Sequence, residues 1–311
     1  MERTVKIACV GLNVVDCYEH QGLAYPGGNE FNVSIYARWL HAGSAFLGCF
    51  GDDFYSGVNY ATALREGVDL SRCRFYSGEV CGMAAVTLRD GDRVFAGGNN
   101  GGVTGRHPVH LEAEDLAYLR EFDLTVSDRY SRMPAREFEA LHAAGIPLAF
   151  DFGDEAPDDF TRRVLPLCRY AFFSCAGRPH REVFLLLEDA CRRGCGCAVA
   201  TLGGGGAAAL EKGGREPVLV PALETAVVDT MGAGDSFLTA FLLRACACER
   251  LTRPELTQAM AAGATFAARN CTFYGAVGNA VPYPVGVGCA SIIHRERTFE
   301  GTQGDALRKS L

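Results

Sequence analysis

The sequence predicts an α/β fold in three layers, a mostly parallel sheet between two layers of helices, with a small β-sheet lid set apart from it. Three observations predict it. Short β-rich apolar runs alternate with apolar-periodic runs of helical length over most of the chain, and repeated β–α units of this kind make a parallel sheet with helices on both faces. Two excursions, residues 14–25 and 80–98, interrupt the alternation with paired β-rich runs around turn residues. A chain of 311 residues, 48% of them hydrophobic, is long and apolar enough to fill the core of one large α/β domain.

Taken in order, Val5 to Gly11 is a buried first strand. Residues 14–25 read as a hairpin around Gln21-Gly22 with one face in water, and the Pro26-Gly27-Gly28-Asn29 break then opens a helix running to about His41. Ala45 to Phe50 is a strand and Phe54 to Arg65 a helix. Asp90-Gly91-Asp92 between Met83–Leu88 and Arg93–Ala96 is a strong hairpin signal, and with the first hairpin it makes a separate sheet suited to exclude water from a cleft. From Leu111 the alternation resumes: helix 112–120, strand 123–127, helix 134–144, strand 147–151, helix 158–167, strand 170–174, helix 180–193 and strand 197–202. Ala207–Glu211 and Pro217–Val220 read as an antiparallel pair, followed by helices 233–248 and 254–269. On this reading residues 1–12, 27–79 and 99–285 form the α/β core, 13–26 and 80–98 the lid, and 286–311 a loosely held tail. The ligand site belongs beyond the carboxyl ends of the strands.

Composition narrows the function. The net charge is −7 and the Lys and Arg residues are scattered, which disfavours a nucleic-acid or anionic-membrane surface and leaves small-molecule chemistry. The apolar run near the start is too short for a signal peptide or a membrane span, so a cytoplasmic protein is expected. The 14 cysteines are diluted in a long chain; Cys9, Cys49, Cys175 and Cys246 lie in apolar stretches as small hydrophobes of a reducing compartment, and Cys195-Gly-Cys197 has the wrong spacing for a zinc or redox pair.

Val228-Asp-Thr-Met-Gly-Ala-Gly-Asp-Ser-Phe237 concentrates the chemistry. Gly232, Ala233 and Gly234 fall where a loop becomes a helix, and the unpaired N–H groups of such a start, together with the helix dipole, favour a phosphate. A carboxylate beside a phosphate opposes it unless it acts on a proton, which makes Asp235 a candidate general base. A glycine turn with an acidic helix cap fits the same ten residues.

Three pieces in order, Gly27-Gly28-x-x-x-Asn32, Gly51-Asp-Asp53 with Gly57, and Asp229-Thr-Met-Gly-Ala-Gly-Asp235, resemble the ribokinase-like (PfkB) family of carbohydrate kinases over roughly residues 5–280. Within that family Ala24-Tyr-Pro-Gly-Gly-Asn29, Asp92-Arg-Val-Phe95, Leu141-His-Ala-Ala-Gly145 and Ala149-Phe-Asp-Phe152 resemble the branch that phosphorylates the 6-hydroxyl of fructoselysine. The resemblance implies a ribokinase-like core, ATP and Mg²⁺ as cofactors, a sugar or glycated amino acid as substrate, and a homodimer formed through the lid. It makes Asp235 the base and Gly232, Ala233 and Gly234 the anion hole for the transferred phosphoryl group. It places Asp16, Gly27, Gly28 and Asn32 at the substrate hydroxyls and Arg93 where it reaches a substrate carboxylate. Thr201, Gly203 and Gly206 fall on the nucleotide side, as does Asp229, in a loop where some relatives hold a monovalent cation. Blander roles also fit several of these residues: a turn bond for Asp16, a backbone bond for Asn32, a solvated position for Arg93, a flexible turn for Gly203 to Gly206. Ser174-Cys-Ala-Gly177 stands where many relatives carry Asn-x-x-Glu for magnesium and phosphate, which leaves the metal ligands unassigned. The rival activities are a kinase for another ketose or a sugar acid and a non-catalytic sugar-sensing relative.

Overall fold

The computed structural model describes residues 4–89, 91–155 and 157–283. β1 (Lys6–Gly11) leads into a hairpin of β2 (Val14–Tyr18) and β3 (Leu23–Gly27), then α1 (Asn29–Trp39), β4 (Gly43–Phe50), α2 (Phe54–Arg65) and the short β5 (Arg74–Phe75). A second hairpin, β6 (Gly82–Arg89) and β7 (Asp92–Gly98), is followed by α3 (Gly102–Arg106), α4 (Ala113–Leu119), β8 (Leu124–Asp128), α5 (Ala135–Ala143), β9 (Leu148–Asp151) and α6 (Asp159–Val164). β10 (Cys168–Ser174), α7 (His180–Arg192), β11 (Cys197–Thr201), β12 (Ala207–Glu211), β13 (Val218–Val220), α8 (Ala233–Cys246), α9 (Arg253–Asn270) and β14 (Val281–Pro282) complete the described chain.

Nine strands form the main sheet in the order β13-β12-β11-β10-β9-β8-β1-β4-β5. Every pairing from β11 to β5 is parallel, and β12 and β13 turn back antiparallel at one edge. The parallel strands are apolar on both faces because both faces are covered. Along β1, Ile7 and Cys9 join a core with Phe31 and Ile35 of α1, Phe237 and Phe241 of α8 and Met260 of α9, whereas Ala8 and Val10 join a second core with Phe138 of α5 and Leu187 of α7. These are the three layers that the alternating pattern predicts, with the sites at the carboxyl ends of strands gathered at one end.

The smaller sheet has the order β14-β3-β2-β6-β7, antiparallel except for the β2–β6 pair. Two expectations differ from it. The first hairpin has no wet face: Val15 and Cys17 pack into a small core with Met83, and Tyr18 and Tyr25 on the opposite face join the main core. The sheet folds back over the end of the α/β layers, so the face that alternation assigns to water meets protein instead. Val281–Pro282, inside the range expected for the core, adds an edge strand beside β3. The tail expected at 286–311 lies outside the described residues.

Candidate active site

α8 begins at Ala233, and its N-cap Gly232 has φ +73°. A side chain there would be strained in the backbone and would also collide with Tyr36 Oη, whose hydroxyl donates to Ala276 O at 2.6 Å. At Gly234 a Cβ would meet nothing within 4 Å, so packing does not demand a glycine there. The bare backbone leaves that side of the helix start open. Ala233 N–H is already engaged, donating to Thr230 O at 3.1 Å, so of the three expected anion-hole residues this one is held within the turn.

Asp235 stands in the first turn of α8, 8% exposed, and Asn32 Nδ2 of α1 donates to its Oδ2 at 2.8 Å. Burial raises the Asp235 carboxyl to about 6, while the Asn32 bond and the Arg93 charge pull it down. That value keeps it ionised and basic near neutral pH. Asn32 Oδ1 is buried with no hydrogen-bond partner. Asp16, on β2, is buried and raised to about 7, first by burial, with Arg93 opposing and Asp229 and Asp235 adding to the rise. A Cβ on Gly27 of the paired strand would collide with Asp16 Oδ2, so the glycine gives that carboxyl its room. Gly28, with φ +109°, is the N-cap of α1. The structure therefore brings Asp16, Gly27, Gly28, Asn32 and Asp235 to one place.

Arg93 lies at the tip of the second hairpin. Its N–H donates to Thr230 Oγ1 at 3.2 Å and its Nη1 to Thr230 O at 3.1 Å, and Thr230 Oγ1 in turn donates to Asp92 at 2.8 Å. The tip is docked on the loop that leads into α8, and the guanidinium charge acts on Asp16, Asp151 and Asp235. Asp229 is fully buried and braces the same loop: Oδ2 accepts from Tyr18 Oη at 2.6 Å and Gly275 N at 2.8 Å, and Oδ1 from Met231 N at 2.9 Å. Both of its oxygens are occupied by the protein. Thr201 closes β11 at the same end of the sheet, followed by an exposed turn in which Gly203 has φ +58° and Gly206 φ +89°. Gly51-Asp52-Asp53 is structural: Asp53 accepts from Ser56 N at the start of α2 and from Cys81 N, and Asp52 accepts from Gly78 N.

Three carboxylates at this end escape sequence reasoning. Asp128 and Asp151 close β8 and β9, and Glu30 sits in the first turn of α1. Glu30 accepts from Leu12 N at 3.0 Å and Asp128 N at 2.8 Å, and burial raises it to about 7 against a side-chain hydrogen bond with Asp128 and those backbone bonds. Asp128 is 2% exposed and pushed well above the usual carboxylate range by burial and then by the Glu30 charge. Burial raises Asp151 to about 7 as well. The available signal was an acid ending an apolar strand, in Leu-Thr-Val-Ser-Asp128 and Leu-Ala-Phe-Asp151.

Among the described residues no three His, Cys, Asp or Glu side chains are arranged to hold a metal ion, and no helix is long and apolar enough to cross a membrane.

Comparison with known proteins gives a consistent result. Residues 4–146 and 185–282 match the model of the pfkB family carbohydrate kinases. The chain is 35% identical over 281 residues to fructosamine kinase FrlD of Bacillus subtilis, covering 90% of this chain and 95% of that protein. It is 32% identical over 275 residues to fructoselysine 6-kinase of Shigella flexneri, covering 87% of this chain and 98% of that one. Its fold is similar to that of Arabidopsis thaliana ribokinase complexed with ribose and ATP, with a TM-score of 0.71 at 20% identity over 96% of this chain and 100% of that one.

Proposed function

The chain belongs to the pfkB family of carbohydrate kinases, and from that premise we propose that it transfers the γ-phosphoryl group of ATP to the 6-hydroxyl of fructoselysine or a similar Amadori compound, with Asp235 as general base. The observation that carries the reading is the Asp235 carboxyl, buried, held by Asn32 at 2.8 Å and set one residue behind the open backbone of Gly234 at the start of α8. Asp235 accepts the hydroxyl proton as the sugar oxygen attacks. With the Ala233 N–H engaged by Thr230 O, the N–H groups that follow it in the first turn of α8 meet the charge that grows on the transferring phosphoryl, where such preorganised donors are worth about 3 kcal/mol each. Asp16 and the unpartnered Asn32 Oδ1 accept from sugar hydroxyls. Gly27 and Gly28 leave the backbone bare beside them. Thr201, Gly203 and Gly206 form the turn on the nucleotide side, Asp229 fixes the loop between, and Arg93 reaches a substrate carboxylate.

Magnesium does not find a cage of protein ligands here, given the absence of any suitable side-chain group among the described residues and Ser174-Cys-Ala-Gly177 in place of Asn-x-x-Glu. An ion that dehydrates reluctantly would enter on the ATP phosphates and its own waters. No step above runs through it. We place the protein in the cytoplasm on the strength of its many buried free thiols. The smaller sheet, with Phe95 57% exposed on β7, is the surface we assign to a homodimer. The reading of the names fructosamine kinase and fructoselysine 6-kinase as this chain's own substrate class is tested by ADP release from ATP and Mg²⁺ with a panel of sugars and glycated amino acids. Turnover on fructoselysine with phosphate on carbon 6 is the expected result; turnover confined to other ketoses or sugar acids would replace the substrate, and none at all would leave a sugar sensor.

A further inference from the structure

The loop of Asp229 is where the family resemblance allows a monovalent cation, and the groups around it decide whether this chain has a use for one. A potassium or sodium ion held by protein trades its water shell for several oxygens with lone pairs to spare. A buried carboxylate in turn needs either a cation or a set of hydrogen-bond donors. Asp229 has the donors. It is fully buried, its Oδ2 takes Tyr18 Oη at 2.6 Å and Gly275 N at 2.8 Å, and its Oδ1 takes Met231 N at 2.9 Å.

Neighbouring oxygens are committed in the same way. Met231 O accepts from Asn270 Nδ2 at 2.8 Å, Ala276 O from Tyr36 Oη at 2.6 Å, and Cys271 O from Val228 N at 2.8 Å and Asp229 N at 3.3 Å. Thr230 O takes Ala233 N and Arg93 Nη1, both at 3.1 Å. Met231 adds no side-chain oxygen, because its thioether packs into the main core. These bonds already tie the 228–233 loop to the 270–276 loop, which is the mechanical service a bridging ion would give. The donor set fits a loop closed by the protein itself and fits a cation poorly.

Among the donors to Asp229, Tyr18 alone comes from outside both loops. It lies on β2, two residues from Asp16, so its hydroxyl joins the strand that carries Asp16 to the loop that ends at Gly232. Its side chain is fully buried and packs edge-on against Tyr25 with ring centroids 4.9 Å apart, which fixes where the hydroxyl points. Burial, and then the bond to Asp229, push its acidity far above the ordinary tyrosine value, so it remains a donor.

We propose that the Tyr18 hydroxyl takes the place of a monovalent cation in fixing the Asp229 loop, which makes Tyr18 a positioning residue for the start of α8 and frees this chain from any need for potassium or sodium. The proposal rests on the sugar-kinase reading for its kinetics, and its binding half is tested without turnover. Wild-type protein melted in potassium, sodium or tetramethylammonium chloride, each at about 0.1 M, should unfold within about 1 °C in all three, because an ion bound only by the folded chain would raise the midpoint. Turnover in the three salts should agree within about twofold. A higher midpoint or a rate several-fold greater in potassium or sodium than in tetramethylammonium would overturn the proposal. Tyr18→Phe keeps the ring and removes the hydroxyl; its kcat should fall roughly tenfold in every salt. Expressing that kcat per nucleotide-binding site, counted by titration, removes unfolded chains from the reading. An unchanged kcat would strip Tyr18 of the role, and if the variant does not fold, the three-salt comparison on the wild type decides alone. Absence of turnover on every sugar would remove the kinase reading, while the melts would still report on the cation.

Discussion

Asp235 carries a shifted acidity that translates directly into a pH profile. With its carboxyl raised to about 6 by burial, the basic form is lost as pH falls through that value, so kcat/KM should decline below about pH 6 and hold above it. Asp235→Asn should lower kcat by roughly 10²–10⁴-fold with the affinity for ATP nearly unchanged, measured by steady-state kinetics and nucleotide titration. Asp16 makes the opposite kind of statement, about stability. Its folded value of about 7 exceeds the ordinary 3.8, so folding favours the neutral form; that contribution is complete below about pH 4 and disappears as pH rises through about 7. Asp16→Asn, permanently neutral, should therefore raise the melting temperature more at pH 8 than at pH 5, on the order of 2 kcal/mol at the higher pH, and lose sugar affinity in exchange. Melts at the two pH values check the sign.

At the level of elements, the start of α8 is the most constrained point in the site. Gly232→Ala places a Cβ on a φ of +73° and against Tyr36, and should cost about 2 kcal/mol of stability, seen in urea unfolding, together with most of kcat. A glycine pair before Asp235 was legible in the sequence because the motif is contiguous. Long periodic elements were legible for the same reason: α2 spans Phe54–Arg65 as its pattern predicts. β14, two residues long, carries no periodicity and exists only because Val281 finds Ala24 across the sheet edge. The wet face assigned to the first hairpin failed because alternation within a strand says nothing of a second layer folding over it. Asp128 and Asp151 were illegible as a pair because single acids at the ends of two apolar strands become neighbours only through the parallel pairing of β8 and β9. Thr230, inside the motif, gave no hint of its bonds to Asp92 and Arg93, which are 138 and 137 positions away.

For the molecule as a whole, those bonds join the smaller sheet to the α/β layers on the loop that leads into α8 and the proposed base. Thr230 N–H donates to Gly91 O at 3.1 Å, and its hydroxyl links Asp92 and the Arg93 N–H. Thr230→Val keeps the shape and removes the hydroxyl; it should raise KM for the sugar several-fold and increase the fraction of ATP lost to water, because a lid seated less firmly excludes water less well. Comparing ADP formed with sugar phosphate formed measures that leak. The same contact couples the electrostatics of the cleft to the seating of the smaller sheet. Arg93 is held among the carboxylates while the 91–93 tip rests on Thr230, and with the tip lifted Asp16, Asp151 and Asp235 lose the cation that tempers them. A loosened hairpin would therefore leave the α/β layers standing and change the acidity of the groups they carry.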